Sequence, residues 1–446
     1  MVLIQFIILL AMILIGSRMQ SIGLGVMGMV GMVVFLFIFR MRPAEPPLDV
    51  MLIIMAIVTT AATLQAAGGL DYLVGIAEKV IRSKPSQIVF IGPLTAYVLC
   101  LFSGTSHVVY SILPIVAEVS AKRRIRPERP LSMTVIASHV ALTGSPMSAA
   151  TAAMAALMAY PGAQTDIMKI CIPACILGIL AGCVSVLKMG KELNNDPEFL
   201  EKMKDPKFAA SIDSTIEGKS REVPPGAKLA VIVFGIAILF VVLFGSFPSL
   251  IPNFGPGENN ISVSADGKLK MGSIIEMVTL SAAALIMFLT KTKPSKVVQA
   301  SLFSAMGAAV ISVFGVVWMS ATFIQHNEAI LKSALGNIAS SQPWTFSIVI
   351  FAMAALIFSQ AATTRAMMPL GITLGISNPH LIAMFPAVNS DFVLPGYPTL
   401  LAAINFDRTG TTRIGKYVLN HSFIRGGLVT IAVAIAFGYL LGGFLM

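Results

Sequence analysis

The chain has 446 residues, 56% of them hydrophobic and only 12% charged, with a formal net charge of +10; soluble domains carry about 25% charged residues. Apolar runs of about 18 residues or more, each long enough to span a bilayer, recur from end to end, which excludes a soluble globular fold, a disordered chain and a nucleic-acid binder. The basic excess reads as loop charge that orients a polytopic all-α protein among membrane lipids.

The N-terminus is apolar from Val2, with no basic leader and no small-residue cleavage site, and reads as a first transmembrane helix. Full spans are predicted at 2–17, 22–39, 50–65, 132–158, 168–187, 229–247, 273–290, 298–322, 380–402 and 420–445, ten in all. Two further stretches, 88–119 and 344–376, are too long for one span and are broken in the middle. The first is broken by Ser103-Gly104-Thr105-Ser106, the second by Ser359-Gln360-Ala361-Ala362-Thr363-Thr364. Each is two tight spans or one re-entrant hairpin. The spans at 132–158 and 380–402 are themselves broken, at Thr143-Gly144-Ser145-Pro146 and at Leu394-Pro395-Gly396-Tyr397-Pro398.

The polar loop 189–227, with Pro206, Pro224 and Pro225, divides the chain into halves of 1–188 and 228–446. Each half reads as three spans, a short amphipathic stretch, a broken hairpin and two spans. The halves start from opposite sides, which makes an inverted repeat, the architecture of many secondary transporters. With both hairpins re-entrant and the N-terminus outside, 23 of the 31 lysines and arginines fall in inside segments. Only Arg40, Arg42, Lys268, Lys270 and Lys332 fall outside. The positive-inside rule selects this orientation, with 189–227 a cytoplasmic linker and both termini periplasmic if the host is Gram-negative.

Backbone that leaves the helix inside a bilayer survives only when buried in protein or lining a wet cavity. Each break exposes a half-helix N-terminus, with free N–H groups and a partial positive charge. Converging N-termini make an anion site without many arginines. Hydroxyls at the breaks (Ser103, Thr105, Ser106, Ser145, Ser359, Thr363, Thr364 and Thr399) add neutral donors, and Gly104, Gly144 and Gly396 allow close approach. Short donors in two facing halves suit a small anion with a carboxylate at each end. The competing reading is helix packing, since small residues also serve close contact between membrane helices. Intramembrane ionisable groups are few: His107, His139, Arg365 and Asp391 flank the breaks. Arg365 either anchors a substrate carboxylate or pairs with an acid such as Asp391. His107 either titrates near neutral pH or packs with a hydrogen bond.

The cysteines Cys100, Cys171, Cys175 and Cys183 all lie in apolar runs. Cys171 and Cys175 are one turn apart, but no third ligand lies near them, so neither a metal nor a cofactor site is expected. HExxH, P-loop, GxGxxG and GxSxG patterns in suitable context are absent. No ATP hydrolysis and no enzyme activity are therefore expected.

Three segments carry a family resemblance: Gly104-Thr105-Ser106-His107-Val108-Val109-Tyr110-Ser111-Ile112-Leu113-Pro114-Ile115, Ile125-Arg126-Pro127-Glu128-Arg129-Pro130, and Phe406-Asp407-Arg408-Thr409-Gly410-Thr411-Thr412-Arg413-Ile414-Gly415-Lys416 with Asn420-His421-Ser422-Phe423. The chain resembles the anaerobic C4-dicarboxylate transporter (Dcu) family over essentially its whole length. The resemblance implies exchange of fumarate, malate, aspartate and succinate across the bacterial inner membrane during anaerobic growth. It also implies an elevator-type motion. The run Gly396-Tyr397-Pro398-Thr399-Leu400 lacks the first Thr and the Asp of a Thr-Tyr-Pro-Ser-Asp motif associated with the sensor-regulating DcuB-like branch, so the sequence looks closer to the DcuA-like branch. The alternatives are a Na⁺- or H⁺-coupled carboxylate symporter and, more remotely, a channel or a membrane-embedded enzyme. A homo-oligomer is left open.

Overall fold

Apolar runs become helices wherever no Gly, Ser or Pro cluster interrupts them. The computed structural model describes all residues except 20, 21, 159, 161, 214–222, 259, 261, 358, 395, 396 and 416–419. The first half contains α1 (Val2–Met19), α2 (Gly23–Val33, continued by a π turn over Val34–Ile38), α3 (Leu48–Ala66), α4 (Gly69–Ser83), α5 (Ile88–Ser103), α6 (Leu113–Lys122), α7 (Glu128–Val140), α8 (Ala149–Met158) and α9 (Ala163–Val186). Two short helices, α10 (Pro197–Lys202) and α11 (Pro206–Asp213), lie in the linker. The second half contains α12 (Ala227–Ser246), α13 (Met271–Thr290), α14 (Pro294–Val298), α15 (Ser301–Ser312), α16 (Trp318–Ser341), α17 (Thr345–Ile357), α18 (Gln360–Thr373), α19 (Asn378–Met384), α20 (Pro398–Phe406) and α21 (Ile424–Leu445). Among the described residues the only β pairing is two isolated bridges in the loop before α13, Asn253 with Lys268 and Val263 with Leu269.

Six helices are by themselves long and apolar enough to cross a membrane among the described residues. The α3–α4 pair, bent by 70°, makes a seventh. The expected count of ten is higher because several apolar runs are cut into shorter helices, among them Val2–Ile13, Gly25–Ile38, Ala149–Met158 and Thr345–Ile357. The breaks fall where expected. The 88–119 stretch is α5, a 3₁₀ turn at Ser106–Ser111 and α6; the 132–158 span is α7 and α8; the 380–402 span is α19, a 3₁₀ segment at Phe385–Phe392 and α20. The span expected to stop at 322 does not. A π turn at Val313–Val317 joins α15 to α16, and helix continues to Ser341, so the expected amphipathic stretch is a continuation of the span.

Helices cross on small residues. A Cβ on Gly315 would fall 1.9 Å from the carbonyl oxygen of Gly25, so α2 meets the α15–α16 helix with only hydrogen at the crossing point. Helix α4 is amphipathic and buries Leu70, Val74, Ala77 and Ile81. Its Arg82 reaches Glu118 of α6 with two hydrogen bonds of 3.2 and 3.1 Å.

One face gathers segments that are far apart in sequence. Arg126 donates to Glu128 at 2.6 Å and to Asp196 at 2.7 Å. Arg129 donates to Glu192 at 2.5 Å and to the carbonyls of Met189 and Gly190. The Glu128 N–H donates to Thr411, and Ser422 donates to the Glu128 carboxylate at 2.7 Å. Lys202 donates to the Thr409 carbonyl and Arg408 to that of Ser211. Leu193, Phe199 and Ile212 fill an apolar seat with Ala121. The linker helices, the α6–α7 turn and residues Arg408, Thr409, Thr411 and Ser422 therefore share one side of the molecule.

Arg126→Ala leaves Glu128 mostly buried and without its ion partner, a loss of about 3 kcal/mol or more; the melting temperature of the purified protein is expected to fall. Lys204→Ala, at the exposed pair with Glu201, should leave it unchanged. Burial pushes the Asp196 carboxyl up, but the Arg126 bond and the N–H groups of Phe199 and Glu198 outweigh it and hold the group below its ordinary value. A carboxyl depressed in the folded state contributes stability above its unfolded pKa of about 4 and loses it as pH falls further. The melting-temperature gap between wild type and Asp196→Asn should thus narrow on acidification from pH 7 to 3. A gap that stays constant would contradict this.

Candidate substrate site

The turn after α5, the tip of the first expected hairpin, is set by glycine and a hydroxyl. Gly104 ends α5 with φ of +68°, and a Cβ there would sit 2.3 Å from the Met147 carbonyl oxygen. The left-handed backbone and the close approach both require glycine. Thr105 then accepts the His107 N–H at 3.3 Å and starts the 3₁₀ turn. The second tip uses an N-cap. Ser359 accepts the Ala362 N–H at 3.3 Å through its hydroxyl and the Thr363 N–H at 2.9 Å through its carbonyl. The N–H groups of Gln360 and Ala361, ahead of these, have no partner within α18 by helix geometry.

Both tips open into one cavity of about 460 Å³. One wall is Ser103–Val108, Met147–Ala150, Ser359–Ala361 and Tyr397; the other is Val58, Ala61, Gln65, Leu70, Asp71 and Val74 with Ser301, Leu302 and Met306. Among the described residues no lysine or arginine lines it, so helix N–H groups are a source of positive potential for an anion there. His107 lines the cavity, its ring parallel to Tyr110 at 6.0 Å.

Behind the polar wall lies a buried cluster that joins the two halves. His139 of α7 bonds Asp391 at 2.9 Å through Nδ1 and Thr399 at 2.7 Å through Nε2. The Gln360 amide donates to the other Asp391 oxygen at 2.6 Å. Tyr397 packs edge-on against His139 at 4.7 Å and shares a hydrogen bond with Ser106. The sequence marked His139 and Asp391 separately, as neighbours of breaks. Their pairing across 252 positions leaves no signal in one sequence. Gln360 stands inside the second break, and the hydroxyl pattern there does not single it out.

The expected site residues divide. Ser103, Gly104, Thr105, Ser106, His107 and Ser359 line the cavity. Gly144, Ser145, Thr363, Thr364, Arg365 and Thr399 are not among its lining. Ser145 donates to the Leu101 carbonyl at 2.6 Å, and the Gly144 N–H donates to Thr151. Thr363 and Thr364 donate back to the carbonyls of Ser359 and Gln360, at 2.9 and 2.7 Å. Gly396 lies outside the described residues. Arg365 is 2% exposed, and its Nε and Nη1 have no hydrogen-bond partner among the described residues. Asp391 does not pair with Arg365, since His139 and Gln360 hold its two oxygens. All four cysteines are buried and free.

The family model for the anaerobic C4-dicarboxylate membrane transporter matches residues 1–446. The chain belongs to that family. Among its relatives, the C4-dicarboxylate transporter DcuA of Wolinella succinogenes is 37% identical over 100% of both chains. The anaerobic C4-dicarboxylate transporter DcuB of Escherichia coli is 36% identical over 98% of this chain and 97% of its own, and the DcuA of Escherichia coli is 34% identical over 100% of both. These identities do not divide the two branches. Two solved transporters share the fold: YdaH of Alcanivorax borkumensis, described as having an unusual topology (TM-score 0.52, 16% identity, 90% of this chain and 85% of that one), and MtrF of Neisseria gonorrhoeae, placed in a class of antimetabolite efflux pumps (TM-score 0.52, 12% identity, 92% and 84%). The chain is therefore a multi-pass C4-dicarboxylate transporter by family, not an enzyme.

For this transporter, Gly104→Ala imposes both a left-handed φ and a backbone clash at the first tip. It is expected to lower transport by at least about 10-fold, reading the combined strain as more than about 1.4 kcal/mol, with the protein still present in the membrane. Gly75→Ala, where a Cβ meets nothing within 4 Å, should transport like wild type.

Proposed function

We propose that the protein exchanges C4-dicarboxylates such as fumarate, malate, aspartate and succinate across the bacterial inner membrane by alternating access. The observation that carries this reading is the single cavity into which both hairpin tips open, one from each half, beside the free N-terminus of α18. Backbone N–H groups, Ser103, Thr105, Ser106, His107 and Ser359 bind the carboxylates. Arg365, a buried cation whose Nε and Nη1 are unpaired among the described residues, supplies a counter-charge when the site closes on its anion. Such a group is costly to keep unpaired, and a dianionic substrate is the partner the reading provides.

The two halves are inverted repeats in this reading, 1–188 and 228–446 about the 189–227 linker. Equivalent pairs pack alike: α1 on α2 as α12 on α13, α5 on α7 as α17 on the Phe385–Phe392 segment, and the last helices α9 and α21 on each other. Ten spans and two re-entrant hairpins follow from that repeat, with both termini periplasmic. The interlocked 124–129, 189–213 and 407–411 segments support one cytoplasmic face, because all three were assigned to it by charge. The far wall of the cavity uses the inside ends of α3 and α15 and the start of α4, so the cavity is reached from the cytoplasm. An elevator motion then carries the polar wall past the other.

The buried His139–Asp391 pair favours a second reading, proton-coupled symport, since intramembrane titratable pairs serve as proton relays. Counterflow in proteoliposomes separates the two. Exchange predicts that labelled succinate accumulates only in vesicles preloaded with a C4-dicarboxylate, with or without salt and pH gradients. Uptake into empty vesicles that needs an inward proton gradient would favour symport, and no C4-dicarboxylate flux at all would sink both.

In the same assay Thr105→Ala should weaken apparent affinity about 10-fold, the loss of one charge-assisted hydrogen bond. Thr363→Ala should change it less than about threefold, because its hydroxyl is spent on the Ser359 carbonyl. Arg365→Ala should reduce transport more than Thr105→Ala, with Arg365→Lys only a partial rescue because the planar fork is lost.

Topology has its own test. Single cysteines placed in the 189–213 linker should escape an impermeant reagent in intact cells and react after permeabilisation. Strong labelling from outside would invert the orientation.

A further inference from the structure

Gln360 is the first residue of α18, 4% exposed, and it lines the cavity. Its Nε2 lies 2.6 Å from Asp391 Oδ2. An ionised carboxylate only accepts hydrogen bonds, so the NH₂ end of the amide must face Asp391. The other Asp391 oxygen takes His139 Nδ1 at 2.9 Å, and His139 Nε2 meets Thr399 at 2.7 Å. Every member of this cluster is buried, so the carboxylate has no cheap rotation away from the amide. With its nitrogen held, Gln360 leaves its carbonyl Oε1 for the cavity. The hydrogen bond that the amide nitrogen donates to Asp391 polarises the amide and strengthens that oxygen as an acceptor.

The rest of the polar wall presents the hydroxyls of Ser103, Thr105, Ser106 and Ser359, which can donate to carboxylates, while Gln65 and Asp71 stand on the opposite wall. An acceptor held in place cannot bond an ionised substrate carboxylate. It matches a hydrogen-bond donor on the carbon chain between the two carboxylates. We propose that Gln360 is a specificity-determining residue: its Oε1, oriented by Asp391, selects C4-dicarboxylates that carry a 2-hydroxyl or 2-ammonium over those with a bare carbon chain. Asp391 and His139 are positioning residues in this arrangement, since neither lines the cavity. A site that hydrogen-bonds a substrate hydroxyl or ammonium discriminates against the analogue lacking it, because the polar group is left desolvated and unpaired. This inference rests on the C4-dicarboxylate reading above.

The test uses the full-length protein, purified and reconstituted, with L-malate, L-aspartate and succinate as competitors of labelled succinate exchange. Wild type should bind malate or aspartate more tightly than succinate, by about 10-fold. Gln360→Met removes the acceptor at similar volume and should bring the malate-to-succinate ratio close to one. Asp391→Asn keeps Gln360 but lets its amide turn over, and should move the ratio the same way by a smaller factor. Substrate-induced thermal stabilisation of the wild type gives a readout that does not depend on any variant folding. Equal stabilisation by succinate and malate at matched concentrations would overturn the proposal, as would an unchanged ratio in an active Gln360→Met. Absence of any response to all three compounds would instead be the failure of the C4-dicarboxylate reading itself.

Discussion

Backbone that leaves the helix within a bilayer has no water to bond, so each break must be closed by the protein's own side chains. The 141–148 break shows how completely this is done. Ser148 and Thr151 both donate to the Leu142 carbonyl, at 2.5 and 2.8 Å, and Thr151 accepts the Gly144 N–H at 3.0 Å. Gln164 donates to the Pro146 carbonyl at 3.2 Å. On the other half, Ser390 donates to the Phe351 carbonyl, and His421 bonds the Val393 carbonyl at 3.0 Å. These polar groups are consumed in this way. The few that face the cavity are what remains once the backbone is satisfied.

The same constraint ties the halves together. The breaks of the two halves meet, and their polar groups find each other rather than solvent. His139 from the first half is held by Asp391 and Thr399 from the second, and the Asn389 amide reaches Thr143 at 3.4 Å. A buried acid with two donors is tolerable; one left alone would not be. The cluster thus fixes the two broken helices and the N-terminus of α18 as one unit, and it sets the geometry of the polar wall.

Much of this was legible in the sequence because breaks in apolar runs are written in Gly, Ser, Thr and Pro. The helix interruptions between α5 and α6, between α7 and α8 and between α17 and α18 followed from that punctuation. Roles of single hydroxyls did not. Thr363 and Thr364 sit at helical spacing from Ser359 and Gln360, and a hydroxyl inside a helix turns back to the carbonyl four residues earlier. Ser145 serves Leu101, 44 positions away. Span lengths were misjudged where the helix changed pitch without a composition signal, as at Val313–Val317. The role of Gln360 was hidden because it depends on an acid 31 positions on, and no local pattern reports which end of an amide is held.

The two walls of the cavity differ in chemistry, and that difference bears on how a carrier of this kind moves. One wall holds the N–H groups, Ser103, Thr105, Ser106, Ser359, Gln360 and Tyr397; the other is mostly Val58, Ala61, Leu70, Val74, Leu302 and Met306. A substrate gripped from both sides would pin the walls to each other. One gripped from a single side can travel with it. Each wall is also braced internally: Gln65 of α3 donates to Ser301 of α15 at 2.9 Å and accepts the Leu302 N–H at 3.2 Å, while the His139–Asp391 cluster braces the polar side. The polar wall is joined to α4 by the pair of Arg82 with the buried Glu118, which Lys122 also holds, and this is the polar contact that a sliding motion has to break. In the proposed elevator reading, sliding of one braced body along an apolar face breaks few polar contacts. The interactions of the His139–Asp391 cluster stay inside the body that moves.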